Sequence, residues 1–250
     1  MKRFMFPVSA ALALMLTLVP AAHPYAYNPW TTMSGAKNAV INPFVYTTSL
    51  NPFGMSIDVL GWYGFTPNFD IAVNAATLSF SSSGFSYGGS WVMPRYDFGN
   101  NNIAALQLKM TPSGSLMLYD VVPQYQFFWE NDVLATELNA YVDVSFVYAN
   151  TSFSSSVGTK AGLYAAPVFK LFKSLYLFCE IDPAYTFGIA SAFDLAIVPG
   201  ITILLNEGKH QICVGVPLGN VLHVAGGSTT VSVTPGIAVW YWTAIETGKK

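Results

Sequence analysis

Residues 134–149 read LATELNAYVDVSFVYA. Leu134, Thr136, Leu138, Ala140, Val142, Val144, Phe146 and Tyr148 make one alternate set, and Ala135, Glu137, Asn139, Tyr141, Asp143, Ser145 and Val147 make the other. The first set is greasy, while the second carries both carboxylates and the amide. Successive side chains of a strand point to opposite faces, so this spacing predicts a strand of about 16 residues with one apolar face. Soluble strands average about 5–6 residues. About 9–11 residues of tilted strand cross the hydrocarbon of a membrane. A one-sided run of this length therefore reads as a strand that faces lipid.

The same parity recurs along the chain. Met117, Tyr119, Val121, Pro123, Tyr125, Phe127 and Trp129 oppose Leu118, Asp120, Val122, Gln124, Gln126 and Phe128. Phe193, Leu195, Ile197, Pro199, Ile201 and Ile203 oppose Asp194, Ala196, Val198, Gly200 and Thr202. Val231, Val233, Pro235, Ile237, Val239 and Tyr241 oppose Ser232, Thr234, Gly236, Ala238, Trp240 and Trp242.

Turn signals divide the rest. Thr66-Pro67, Gly99–Asn101, Asn131-Asp132, Lys173-Ser174 and Glu207-Gly208-Lys209 form one set. Asn51–Gly54, Ser81–Gly89, Pro112–Ser115, Asn150–Gly158, Gly188–Ser191 and Leu218–Ser228 form a second, longer and richer in Ser and Gly. Alternating the two sets predicts about twelve strands, near 37–48, 55–65, 68–80, 90–98, 102–110, 116–129, 133–149, 160–171, 175–187, 192–205, 210–217 and 229–242. An even count with short turns at one end and longer loops at the other predicts an all-β fold, a transmembrane antiparallel up-and-down β-barrel. Both termini are then expected on the periplasmic side. Pro94, Pro123, Pro167, Pro199 and Pro235 all fall on the lipid face of descending strands. Proline removes a ladder donor, so each descending strand is expected either to bulge there, the favoured reading, or to end there.

Composition agrees with a membrane protein. Hydrophobic residues make up 52% of the 250, aromatics 15% and charged residues only 10%. That excludes a disordered chain, and it sits far below the roughly 25% charge of an average soluble domain. Mean hydropathy is +0.42. Formal net charge is -2 and no basic stripe exists, so nucleic acid is not an expected partner. No cofactor motif or metal spacing is present in the sequence. The N-terminus is a separate matter. Lys2 and Arg3 precede apolar Phe4–Val19, and Ala21, Ala22 and Ala26 follow. This pattern predicts a secretory signal peptide over 1–26, cleaved between 21 and 26, with 27–250 left as one barrel domain.

The signal peptide, the hairpins and the closing segment Gly236-Ile237-Ala238-Val239-Trp240-Tyr241-Trp242 together resemble Gram-negative outer-membrane β-barrels. In that class the last strand carries a glycine, alternating hydrophobics and a terminal aromatic, which the insertion machinery reads. Here Thr243–Lys250 follows the aromatic, a departure from the pattern. The resemblance implies an outer-membrane location. It also implies outer-membrane lipid and the barrel-insertion machinery as partners. It reaches no family with a known substrate.

The non-lipid face collects the candidate lumen residues: Asp58, Arg95, Asp97, Lys109, Asp120, Glu137, Asp143, Lys170, Glu180, Asp182 and Asp194, with Asp70 and Lys160 beside them. An arginine or lysine at the midplane of the lipid face would cost about 2–4 kcal/mol, so this parity is what a barrel requires. Acids outnumber bases nine to four in this set. One expectation is a narrow channel for passive transport of small solutes, either cationic, neutral, or small hydrophobic and aromatic. The other is a plugged barrel, filled by inward Trp62, Trp91, Tyr141, Tyr164, Tyr176, Phe178, Trp240 and Trp242, with a structural or interaction role in the envelope. Folding the hairpins predicts Arg95 and Gln107 near Asp120, and Lys109 near Asp120 and Asp143. His210 and His223 have no serine-nucleophile context, so an outer-membrane hydrolase is not the expectation.

Cys179 and Cys213 fall on strands separated by a third. Two strand spacings are about 9.5 Å, beyond the roughly 7 Å reach of a disulfide. Mass spectrometry of the native protein should therefore find no 179–213 disulfide, and finding one would refute this strand order.

Overall fold

The computed structural model describes residues 34–50, 53–82, 84–113, 116–149, 152–153, 158–188, 191–206 and 210–246. The expected signal peptide at 1–26 and its cleavage site lie outside the described residues.

The strands are β1 (Asn38–Leu50), β2 (Phe53–Thr66), β3 (Phe69–Ser81), β4 (Gly84–Asp97), β5 (Asn102–Ser113), β6 (Leu116–Glu130), β7 (Leu134–Ala149), β8 (Ser152–Phe153), β9 (Gly158–Phe172), β10 (Leu175–Phe187), β11 (Ala192–Leu205), β12 (His210–Gly215), β13 (Asn220–Ala225), β14 (Ser228–Val231) and β15 (Ala238–Glu246). Each long strand pairs antiparallel with its neighbours in sequence, and β15 pairs back onto β1 from Asn38↔Glu246 to Tyr46↔Ala238. The sheet thus closes on itself. β8 is a short addition to β7.

The last two staves of the barrel are interrupted. β11 pairs β12 through Gly200–Leu205 and β13 through Ala192–Ala196. Val216 and Leu218 still donate to the carbonyls of Pro199 and Ile197, which ties the break to β11. Gly226 and Gly227, both at positive φ, make the two-residue turn into β14. Residues 232–237 then descend as irregular chain into β15. With β12–β13 and β14–β15 each counted as one stave and β8 set aside, the barrel has twelve. Bulges aside, the register followed once round displaces the chain by about 14 residues, which for twelve strands means a tilt of about 40° and a radius of about 11 Å.

Both ends of the described chain lie at one end of the barrel, called here the terminal end. The outward faces are apolar, with an aromatic girdle at each rim. Tyr63, Phe65, Tyr96, Phe98, Trp129 and Phe172 ring the terminal end, and Phe53, Phe80, Phe85, Tyr87 and Phe187 ring the distal end. Ring pairs such as Tyr63–Phe65 and Tyr96–Phe98, both 5.0 Å between centroids and edge-to-face, stiffen the terminal girdle.

Three expectations need correction. The prolines do not form bulges. Pro94, Pro123, Pro167 and Pro199 keep their register partners Ile71, Leu106, Thr136 and Cys179 on one side; on the other the ladder skips without a shift at the first three, while Pro199 faces the break between β12 and β13, where the register shifts. In an antiparallel ladder the N–H and C=O of one residue point at the same neighbour, so the loss falls on one flank only. Pro235 differs, because the strand itself is interrupted there. Second, the loop expected over 81–89 is strand on both sides of a tight turn, and the loop expected over 218–228 contains the β13–β14 hairpin. The two ends of the barrel consequently have connections of similar length, apart from residues 150–157. Third, the tail after Trp242 is no appendage: β15 continues to Glu246, pairing with Asn38.

Cys179 and Cys213 are both free. Cys213 is fully buried on the inner face, whereas Cys179 is next in sequence to inward Phe178 and so faces out. A lipid-soluble maleimide should label Cys179 in folded protein and leave Cys213 unmodified until denaturation. Equal labelling of the two would contradict the assigned faces.

Candidate functional site

The lumen is divided into a sealed floor and a cup above it. Val40, Trp62, Asp70, Arg95, Ile103, Gln126, Glu137, Val168, Phe178, Thr202, Gln211 and Trp242 each lie within four residues of the terminal end of their strand. All of them are buried. They come from every stave, and together they fill the terminal part of the lumen with side chains. Two apolar clusters supply most of the filling. One gathers Phe128, Val168, Phe178, Cys213 and Trp240, and the other Val40, Leu60, Trp62, Met93 and Trp242. Gly200 belongs to the first arrangement: a Cβ there would come within 2.1 Å of the Phe178 ring, so only glycine lets the ring lie flat on β11.

Polar groups are embedded in the same floor. Arg95 grips Asp70 on the adjacent strand through two hydrogen bonds, Nε to Oδ1 at 2.8 Å and Nη2 to Oδ2 at 2.6 Å. Both side chains are completely shielded from solvent. Ser34 caps the far oxygen of Asp70 with its N–H and hydroxyl, each at 2.9 Å. Gln126, Glu137 and Gln211 are each at most 1% exposed. One polar atom on each, Gln126 Oε1, Glu137 Oε2 and Gln211 Nε2, meets no hydrogen-bond partner.

Above the floor two cavities open. The larger, ≈ 350 Å³, has Glu137 as its base and Lys109, Asp143, Lys160 and Asp182 in its walls. Lys109 Nζ donates to Asp143 Oδ2 at 2.9 Å, and Tyr141 donates to Asp182 at 3.0 Å. An amide chain stiffens this wall: Gln124 donates to Gln107, while Gln126 and Asn139 both donate to Gln124, all at 2.9–3.0 Å. The smaller cavity, ≈ 270 Å³, carries Asp58 and Glu180 among aromatic walls. Asp58 accepts from Asn74 at 3.1 Å and from Thr77, both neutral donors.

The candidates from sequence therefore fall into groups. Arg95 and Glu137 are in the floor. Lys109, Asp143 and Asp182 line the larger cavity, and Asp58 and Glu180 the smaller. Asp120 is half-buried on β6, opposite Lys109 in register, yet Lys109 reaches past it to Asp143. Asp97 sits at the terminal rim, where it accepts the Gly99 N–H at 2.7 Å and caps the turn. Lys170, also at that rim, donates to Glu130 and to the Asn131 carbonyl at 2.8 and 2.7 Å. Asp194 is at the distal end, accepting from Asn220 and paired with His223 Nδ1 at 2.8 Å. The expected approach of Arg95 to Asp120 does not occur, because Asp70 stands directly opposite Arg95 on β3. Attention to charge passed over the amides Asn42 and Gln211, whose inward parity was the available signal.

Comparison of the sequence with protein-family models and with curated proteins returns no match. Solved structures do match in fold. An outer-membrane channel from Pseudomonas putida F1 is 13% identical, with a TM-score of 0.51 over 90% of this chain and 100% of its own. The translocator domain of the autotransporter NalP from Neisseria meningitidis is 10% identical, with a TM-score of 0.49 over 84% and 88%. The KdgM porin is 11% identical, with a TM-score of 0.48 over 82% and 98%. The fold is that of the outer-membrane β-barrels.

Removing Asp70 would take from the buried Arg95 guanidinium the carboxylate that it grips through two hydrogen bonds. Asp70→Ala should destabilise the refolded barrel by about 3–5 kcal/mol in urea, whereas the double replacement Asp70→Leu/Arg95→Met should recover most of that loss. A single substitution with no effect on the unfolding midpoint would contradict the pairing.

Proposed function

We infer that this chain is an outer-membrane channel for small cationic or neutral solutes, closed at its terminal end in this state. The observation that carries the reading is the chemistry of the floor. A purely structural plug is most stable when built from well-packed apolar side chains, since a buried ion pair gains little over hydrophobic replacements. This floor instead holds Arg95, Asp70, Gln126, Glu137 and Gln211 across the width of the lumen. Three of them keep an unmet hydrogen-bonding atom, a cost of about 1–3 kcal/mol each unless water or a partner arrives. Polar groups at a constriction become useful when the floor parts, because they line the hydrated passage that forms.

The charges above the floor favour cations. Asp58, Asp120, Asp143, Glu180 and Asp182 face Lys109 and Lys160, and rings of carboxylate attract cations. On this reading the protein lies in the outer membrane, with the terminal end of the barrel toward the periplasm; the lipid-facing parity of the strands supports the first part. Lipid and the insertion machinery are its expected partners there.

Planar bilayers with refolded protein test the reading. Wild type should give brief, small openings. Widening the floor with Trp62→Ala/Trp242→Ala should raise open probability or conductance several-fold. Cation over anion selectivity should fall when Asp120 and Asp143 are both replaced by Asn. A folded double-alanine variant that stays silent would overturn the channel and leave a structural barrel of the envelope.

A further inference from the structure

We propose that the smaller cavity is a binding site for an organic ammonium ion that bears N–H donors on an apolar or aromatic body. This deepens the channel reading and rests on it for the route by which the ion arrives. Three independent observations converge on the same ≈ 270 Å³ space.

The first is its charge. Asp58 and Glu180 line the cavity, and no lysine or arginine is among its lining residues. The basic groups of the cup are engaged on the opposite wall: Lys109 is bonded to Asp143, and the Lys160 ammonium stands 5.9 Å from the centre of the Tyr141 ring. Asp58 receives only the neutral donors Asn74 and Thr77 at one oxygen. The negative charge on this side of the cup is thus not neutralised locally.

The second is an acceptor without a donor. Asn42 is 2% exposed, lines the cavity, and its Oδ1 meets no hydrogen-bond partner. A buried amide oxygen left unpaired costs free energy, and an N–H from a ligand removes that cost. Metal cations and quaternary ammonium ions carry no such donor; a primary or secondary ammonium does.

The third is the wall. Phe44, Trp91 and Trp240 contribute ring surface, with Phe44 and Trp240 held edge-to-face at 5.4 Å. Cations are drawn to aromatic faces, most strongly to tryptophan and most of all where water is excluded. Tyr164 stands between this cavity and its larger neighbour and lines both. Carboxylates and an amide oxygen for the nitrogen, and rings for the body, describe an arylalkyl or alkyl ammonium of modest size.

Calorimetric titration of the full refolded chain in detergent tests this with benzylammonium, tetramethylammonium and benzyl alcohol as probes. Benzylammonium should bind saturably at one site per chain. Benzyl alcohol, which lacks the charge, and tetramethylammonium, which lacks the N–H, should each bind at least about tenfold more weakly. Asp58→Asn and Asn42→Leu should each weaken benzylammonium by about tenfold, while Cys179→Ser on the outer face leaves it unchanged. Heat-modifiable gel mobility checks that each variant is folded, and the three-probe ranking on wild type stands without any variant. Absent binding, or equal binding of benzyl alcohol and benzylammonium, overturns the site. Benzylammonium binding with silent bilayers overturns the channel and keeps the site. Current without any benzylammonium preference does the reverse.

Discussion

Everything in this molecule follows from the need to satisfy backbone hydrogen bonds where water is absent. A sheet in lipid cannot leave an edge, because each unpaired N–H or C=O would cost several kcal/mol. The β1–β15 ladder removes the two edges that an open meander would have. Once the sheet is closed, the strand period of two assigns every residue either to lipid or to the lumen. The prolines show how tightly the constraint is met. Each of the four in regular strand gives up pairing on one flank while its other flank stays in register, so the circuit is thinned but never broken.

Closure also fixes how much the interior can hold. A barrel of about 11 Å backbone radius has room for one layer of large side chains meeting at the axis. At the terminal end that layer is filled, with Trp62 and Trp242 in one apolar cluster, Phe178 in the other, and the Arg95–Asp70 pair buried near the same rim. Higher up, several inward positions are polar or small, among them Gln124, Asn139, Gly162 and Ala196, and the rings that line the smaller cavity leave room between them. Space remains there, and it is wet in character. The step from floor to cup is thus a change in side-chain size and polarity along the same strands, with no separate plug domain among the described residues.

Much of this was legible in the alternation of residues. The alternation over 134–148 indicated strand, face and length together, and the strand expected near 133–149 is β7, Leu134–Ala149. The lumen parity of Asp58, Lys109, Glu137 and Asp182 followed from the same rule. What the linear order hid was height and partner. Two inward residues on neighbouring staves can be far apart along the axis because the strands tilt, and a register error of two residues exchanges one partner for another. Arg95 was matched to Asp120 for want of that information, when Asp70 lay one strand away. Turn chemistry misled for a related reason. Ser and Gly over 81–89 signalled a loop, but in a closed sheet each strand is extended by the pairing available on both sides, and weak strand formers are carried along. The interruption near Pro235 was the less favoured of two readings, because parity continues through it on paper.

That interruption has a consequence for how the molecule is assembled. The seam joins residues from 190 positions apart, where Thr47 meets Ile237, to 208 apart, where Asn38 meets Glu246, so its closure carries the largest loop entropy of any contact in the fold. Regular pairing across it runs only from Asn38 to Tyr46, in the terminal part of β1. Above Thr47 the partner chain is irregular and β14 is paired to β13 alone. The barrel is therefore a cylinder whose zip is sewn from one rim as far as the smaller cavity and left unsewn beyond the Tyr46↔Ala238 pair.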